Sequence, residues 1–161
     1  MPGKKSVMYT EETLPVVDKL LEPTRYNQEQ IAKMTTGLEN ATQILDLGVG
    51  LGNLAAALVK RGKQVYGIDK NPASIRYAIT KVNEGLFIPL LMDVHALGFL
   101  VNSFDGVSCL SNLTEFHSPC AVVEEVYRVL RSDGYVAITG VEGSQKENYK
   151  QKLSQEIIQL L

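Results

Sequence analysis

Short apolar runs alternate along the chain with longer segments in which apolar residues recur every three or four positions. The short runs have the length and composition of buried strands, and the longer segments have the periodicity of amphipathic helices. The alternation predicts a parallel sheet with right-handed crossovers and with helices on both faces. The predicted strands are 43–47, 64–69, 86–92, 104–110 and 135–139, and the helices between them are 53–61, 71–82 and 119–131.

Two further helices are predicted before the first strand. Thr10 resembles an N-cap followed by a helical pattern, and Pro23 ends that helix. A second helix is predicted from about Asn27 to Thr36, with Gly37 as its C-cap. These helices precede the alternating part of the chain and form its N-terminal addition.

The end of the chain is predicted to hold a turn, a strand and a last helix. Asp133-Gly134 is typical of a turn, and the pattern becomes helical again from about Lys146. With 161 residues and no visible repeat or linker, the chain is expected to form one domain, residues 1–161. Residues 1–40 would be its N-terminal helices and residues 43–139 its core.

The stretch Ile44–Asn53 carries the strongest chemical signal. A β-prone run leads to Asp46, three glycines follow at alternate positions, and a helical pattern begins after them. Glycine lets another molecule approach the backbone, and a helix N-terminus offers unpaired N–H groups. Two sequence patterns fit this stretch. Gly50–Ala55 matches G-x-G-x-x-A, the pattern of dinucleotide-binding proteins, and Asp69 follows at the expected distance. Asp46–Gly52 matches a second pattern, D-x-G-x-G-x-G.

The second pattern resembles the first motif of class I S-adenosylmethionine-dependent methyltransferases. Four later stretches resemble further segments of that family in the right order, at 66–72, 90–97, 103–107 and 125–135. The resemblance implies a three-layer α/β sandwich whose mostly parallel, Rossmann-like sheet has about five strands in the order 3-2-1-4-5. Val49 and Leu51 are bulkier than the residues that the family often has in the glycine turn, and Ser132-Asp133-Gly134 replaces Pro-Gly-Gly.

The resemblance also implies a role for each acid near a strand end. Asp46 would lie near the ammonium end of S-adenosylmethionine, and Gly48 and Gly50 would allow close approach of the backbone. Asp69 would accept hydrogen bonds from both ribose hydroxyls, and Asp93 would accept one from the adenine amino group. A single such Asp is more often a turn or capping residue, but three of them at one edge of a sheet favour a ligand.

Four other residues would complete the cofactor site by the same resemblance. The Val94 N–H would face a ring nitrogen of the adenine, and Lys70 and Met92 would flank the ring. The Leu110 carbonyl would meet the methionine moiety. S-adenosylhomocysteine would be the product.

The segment after the fourth strand is the candidate acceptor side. Asn112, Glu115 and His117 are candidate catalytic residues that could bind a substrate or remove a proton. His117 without a visible partner is more simply a loop or capping residue, and His95 is expected beside the adenine pocket. Because the N-P-P-Y signature of nucleic-acid amino-methyltransferases is absent, we expect a small-molecule acceptor.

Composition restricts partners and location. The net charge of −2 offers no general attraction to nucleic acid or to a membrane surface, and no apolar run is long enough to span a membrane. The two cysteines show neither disulfide nor metal-ligand spacing, so we expect a cytoplasmic protein with no metal.

Three functions remain open from the sequence. The first is S-adenosylmethionine-dependent methyl transfer to a small molecule, and the second is a catalytically silent cofactor-binding or assembly module on the same fold. A nicotinamide-dependent oxidoreductase is the third, but it would need a second domain. Because the chain stops at Leu161, the final β-hairpin of the family is expected to be missing, and a homodimer would cover the open sheet edge.

Overall fold

The computed structural model describes residues 9–21, 24–82, 85–110 and 116–139. In these ranges the strands are β1 Gln43–Leu47, β2 Gln64–Asp69, β3 Phe87–Leu91, β4 Phe104–Leu110 and β5 Leu130–Thr139. The helices of the same ranges are α1 Leu14–Leu21, α2 Arg25–Gly37, α3 Asn53–Val59, α4 Pro72–Lys81 and α5 Pro119–Val129. The helix predicted from Lys146 lies outside the described residues.

All five strands run parallel, in the order β3-β2-β1-β4-β5. The predicted fold class and strand order are therefore confirmed. The order reverses at β1, which lies between β2 and β4. In open parallel sheets a ligand binds at such a reversal, outside the carboxyl ends of the strands.

Each face of the sheet packs against its own apolar cluster, because successive side chains of a strand point to opposite faces. One cluster joins α2, α3 and α4 to the sheet, and it includes Ile44, Val65 and Leu58. The other joins α5 and residues 94–99 to the opposite face, and it includes Leu45 and Val107. The result is the expected three-layer sandwich.

The N-terminal helices form close to their predicted positions. Thr24 caps α2, because its Oγ1 accepts a hydrogen bond from the Asn27 N–H at 3.2 Å. Gly37 is the last residue of α2 and not its cap. Thr10 Oγ1 accepts from the Thr13 N–H at 3.3 Å, but residues 11–13 form a turn, so α1 begins later than predicted.

The predicted turn at Asp133-Gly134 is wrong, because both residues lie inside β5. Phe104 pairs with Leu130 and Gly106 pairs with Tyr135, so β5 advances five residues while β4 advances two. The extra residues form a bulge in a strand that continues on both sides.

None of the helices in the described ranges is long and apolar enough to cross a membrane.

Candidate active site

The turn between β1 and α3 lies at the carboxyl edge of the sheet. Gly48, Gly50 and Gly52 have φ angles of 67°, 51° and 77°, a region that residues with a side chain rarely adopt. The Val49 N–H donates to the Ile68 carbonyl at 2.8 Å, which ties the turn to β2. A Cβ built on Gly50 would meet only the Gly48 carbonyl, at 3.7 Å, so the described chain leaves space above the turn.

Asp69 ends β2 and holds the glycine turn in place. Its Oδ2 accepts a hydrogen bond from the Gly50 N–H at 3.1 Å, and its Oδ1 accepts one from the Asn71 N–H at 2.8 Å. Burial raises the pKa of Asp69, while these backbone bonds and the charge of Lys70 oppose the rise. A carboxylate has about four acceptor sites, so Asp69 keeps capacity for a ligand hydroxyl beside its backbone bonds.

Asp46 lies within β1, one residue before its end, and is 2% exposed. It lies opposite Gly67 of β2 and Ser108 of β4. The Ser108 Oγ donates a hydrogen bond to Asp46 Oδ1 at 2.7 Å. Burial raises the pKa of Asp46 to about 7; the Ser108 bond opposes that rise and the nearby charge of Asp69 adds to it.

Asp93 lies beyond the end of β3 and forms a pair with His95. Its Oδ1 accepts from the His95 backbone N–H at 2.9 Å and contacts the ring Nδ1 at 2.6 Å. These bonds, together with the charges of His95 and Lys70, lower the pKa of Asp93. Within the described residues, Oδ2 accepts no hydrogen bond, and the side chain is half exposed. That oxygen is available to a ligand amino group.

His95 connects the segment after β3 with the segment after β4. Its ring lies 3.9 Å from the His117 ring, tilted by 36°, and meets Phe116 edge-on at 6.1 Å. His95 Nε2 is buried and has no hydrogen-bond partner in the part of the chain that the structure describes. His117 therefore packs on the loop that carries Asp93. Ser118 is at the N-cap position of α5, but its side chain makes no capping bond.

The remaining predicted site residues lie around these groups. The Met92 N–H donates to the Asp69 carbonyl at 3.1 Å, and Met92 packs with the buried Val94 against the α5 face of the sheet. Lys70 is exposed, and Leu110 ends β4 against the opposite cluster. Asn112 and Glu115 lie outside the described residues. The described residues contain no group of three or more His, Cys, Asp or Glu side chains that could hold a metal ion.

Two features of the site were not predicted from the sequence. Ser108 becomes a partner of Asp46 only through the pairing of β1 with β4, although a serine between apolar residues of a strand was a visible signal. The second feature is the packing of Leu51, whose large side chain is buried with Leu14, Val17 and Ala73 under α1. The N-terminal helix thus packs on the glycine turn.

Polar contacts reinforce the position of α1. Asp18 is buried, and its two carboxylate oxygens accept hydrogen bonds from the Lys81 Nζ at 2.7 and 2.8 Å. Its Oδ2 also accepts one from the Tyr77 hydroxyl at 2.8 Å. Before the helix, the Asn71 Nδ2 donates to the Tyr9 carbonyl at 2.8 Å. These bonds join α1 to α4, whose first turn lies beside Asp69.

Comparison with known proteins agrees with this arrangement. A family model described as a methyltransferase domain matches residues 45–138, more than half of the chain. The chain belongs to this family. The match runs from β1 to the end of β5, so it includes the glycine turn and all three acids. The resemblance to class I methyltransferases is thereby confirmed.

Curated relatives are similar over part of their length. The ubiquinone biosynthesis O-methyltransferase of Alkalilimnicola ehrlichii is 29% identical over 122 residues, which are 73% of this chain and 49% of the relative. The demethylmenaquinone methyltransferase of Thermotoga maritima is 29% identical over 101 residues, 62% of this chain and 43% of the relative. The chain spans about half the length of the curated relatives it matches.

Solved structures share the fold. A SAM-dependent methyltransferase from Aquifex aeolicus superposes with a TM-score of 0.64 at 21% identity and covers 86% of both chains. The phosphoethanolamine N-methyltransferase 2 of Haemonchus contortus, crystallised with S-adenosyl-L-methionine, gives a TM-score of 0.72 at 20% identity. It covers 93% of this chain and 41% of that protein.

Proposed function

We propose that this chain forms one domain that binds S-adenosylmethionine and transfers its methyl group to a small-molecule acceptor. The observation that carries the proposal is the set of acceptors left available along the carboxyl edge. Asp69 keeps capacity for a ligand hydroxyl, Asp93 Oδ2 faces no donor of the described chain, and Gly50 leaves the turn open. Buried Asp46 suits a cationic group. This combination matches a ligand with a ribose, an amino-purine and a positive charge.

In this proposal the residues hold the cofactor, whose sulfonium supplies a methyl group and a good leaving group when bound. Asp69 would take the ribose, while Asp93 and the Val94 N–H would take the adenine. Asp46 would face the ammonium end. Methyl transfer then needs an acceptor atom held in line, so positioning supplies much of the rate.

The acceptor is proposed as a small molecule with a hydroxyl group. The curated relatives named above include an O-methyltransferase of ubiquinone biosynthesis, and their similarity supports a phenol as the first acceptor to test. A general base would assist only if the hydroxyl proton leaves during transfer. Asn112, Glu115 and His117 remain the candidate residues for the acceptor side.

Calorimetry and turnover test the proposal together. We expect micromolar binding of S-adenosylmethionine and S-adenosylhomocysteine and no binding of NAD. Turnover of labelled S-adenosylmethionine with a panel of phenols would then establish the enzyme. Tight binding without turnover would favour the silent binding module, and binding of NAD alone would contradict the whole proposal.

Asp69→Ala is the variant that tests the site. We expect its cofactor affinity to fall by about 2 kcal/mol or more, because a charge-assisted contact and the support of the glycine turn are both lost. Asp133→Ala, in the bulge of β5, is the matched control and should bind as the wild type does. If the two variants bind the cofactor with equal affinity, Asp69 is not part of the cofactor site.

We also propose a cytoplasmic location and a homodimer. Neither Cys109 nor Cys120 is joined in a disulfide, which supports a reducing compartment. β5 pairs with β4 on one side, no described strand pairs with its other side, and Val136 and Ile138 are exposed there. A second copy would cover this edge. Light scattering after size exclusion should give twice the chain mass, and a monomer would exclude the dimer.

A further inference from the structure

The pair formed by Asp46 and Ser108 is buried in the middle of the sheet. Their exposures are 2% and 0%, and their side chains meet at 2.7 Å. No described Lys, Arg or His forms an ion pair with Asp46. Gly67 of β2 presents no side chain to it, and Asp69 is the charged group that acts on it, with the same sign. The charge of an ionised Asp46 is therefore uncompensated in the described protein.

A buried carboxyl in such surroundings keeps its proton up to a higher pH than an exposed one, because removal from water penalises the charged form. Burial accordingly raises the pKa of Asp46 to about 7. A cation placed beside the carboxylate supplies the missing opposite charge and favours ionisation. Binding of a cation and loss of the proton are then linked, in the way that ligands requiring a deprotonated partner release protons on binding.

We propose, on the basis of the proposed function, that the domain binds its cationic cofactor with release of a proton from Asp46, and that Ser108 is the positioning residue that sets this coupling. The O–H bond of Asp46 breaks, its proton passes to the solvent, and the carboxylate stays in the site opposite the cofactor's ammonium. The Ser108 hydroxyl stabilises that carboxylate and fixes the direction of Oδ1. S-adenosylhomocysteine carries the same ammonium and couples in the same way.

Calorimetry in two buffers of different ionisation enthalpy measures the coupling directly. At pH 7, where a group with a pKa of about 7 is half ionised, we expect release of about half a proton per cofactor bound. Below about pH 7 affinity should rise with pH, with a limiting slope of tenfold per pH unit at low pH. Asp46→Asn should release no proton and should lose this pH dependence.

Ser108→Ala tests the positioning role. Loss of one hydrogen bond to a carboxylate shifts its titration by about one pH unit, so affinity should fall about fivefold at pH 7 but less than twofold at pH 9. Proton release at pH 7 should increase. Cys109→Ala is the matched control, because Cys109 is the next residue of β4, is equally buried and points to the other face. It should leave both quantities unchanged.

Two results would overturn the inference. The first is cofactor binding by the wild type with no proton release at pH 7. The second is a Ser108→Ala variant whose loss of affinity is the same at pH 7 and pH 9. If no cofactor binds, the proposed function fails by itself; carbon-13 NMR of the Asp46 carboxyl in the ligand-free protein then still tests Ser108, because Ser108→Ala must raise its titration midpoint.

Discussion

At the scale of single residues, Asp46 suits the proposed binding of a cation but lowers the stability of the ligand-free protein at neutral pH. Its folded-state pKa of about 7 is above the ordinary 3.8, so the folded protein holds a proton that the unfolded chain releases between these values. Stability is therefore lost as the pH rises from about 4 to about 7, by at most about 4 kcal/mol. The residue most suited to a cation is one that weakens the ligand-free fold at neutral pH.

Asp46→Asn should reveal this penalty. The amide is never ionised and its oxygen still accepts from Ser108, so we expect the variant to gain stability over the wild type as the pH rises from 4 to 8. Urea unfolding at several pH values measures the difference. A constant difference across that range would show that Asp46 does not titrate in the folded protein with a raised pKa.

The pKa of Asp105 is shifted in the direction opposite to that of Asp46. Burial alone would raise its pKa, but bonds from the Thr42 hydroxyl at 2.6 Å and from the N–H groups of Thr42 and Gln43 outweigh burial and lower it. Its contribution to stability is present above its unfolded pKa and is lost as the pH falls through the lower folded value. Asp105→Asn should therefore destabilise the protein at pH 8, where Asp46→Asn stabilises it.

At the scale of elements, the start of α3 depends on a glycine that serves both backbone and packing. Gly52 has a φ of 77°, and a Cβ there would lie 3.2 Å from Ala78 Cβ and Val82 Cγ2 of the α4 region. Gly62, after α3, has a φ of 76°, and a Cβ there would meet nothing within 4 Å. The two positions share their backbone conformation and differ in packing.

Alanine at these two positions should therefore destabilise the protein by different amounts. Gly62→Ala should cost about 1 kcal/mol from the left-handed backbone alone, and Gly52→Ala should cost about 2–3 kcal/mol because crowding is added. Gly52→Ala should also weaken cofactor binding, since α3 and the turn must shift. Chemical unfolding and calorimetry measure both effects. Equal destabilisation of the two variants would show that α4 yields to the added methyl group.

The elements also show what the sequence could and could not predict. The bounds of β4 followed from an apolar run, which is a local property of the chain, and the strand order followed from the resemblance to a known family. The bulge between Leu130 and Tyr135 did not, because only the pairing with β4 shows that Asp133-Gly134 lies within a strand. Ser108 and the His95–His117 contact were missed for a related reason: each depends on residues distant in sequence that the sheet brings together.

At the scale of the whole molecule, the N-terminal helix packs against the proposed cofactor site. Leu51 of the glycine turn is buried against α1, and Asp18 of α1 pairs with Lys81 of α4. The side chains of that ion pair are 11% and 16% exposed, so the pair is largely removed from solvent. The bulk of Leu51, unusual for the family, is thus accommodated by an element outside the matched core.

Removing this pair should loosen α1 and weaken cofactor binding together. Asp18→Ala removes the buried carboxylate that joins α1 to Lys81 and Tyr77 of α4, and we expect a loss of about 3 kcal/mol in stability, faster amide exchange in α1 and lower cofactor affinity. Glu11→Ala is the control, because its pair with Arg76 is exposed and should contribute less than about 1 kcal/mol. The double variant Asp18→Leu with Lys81→Met should recover part of the binding by apolar contact. If α1 exchanges faster while affinity is unchanged, the glycine turn keeps its shape without α1.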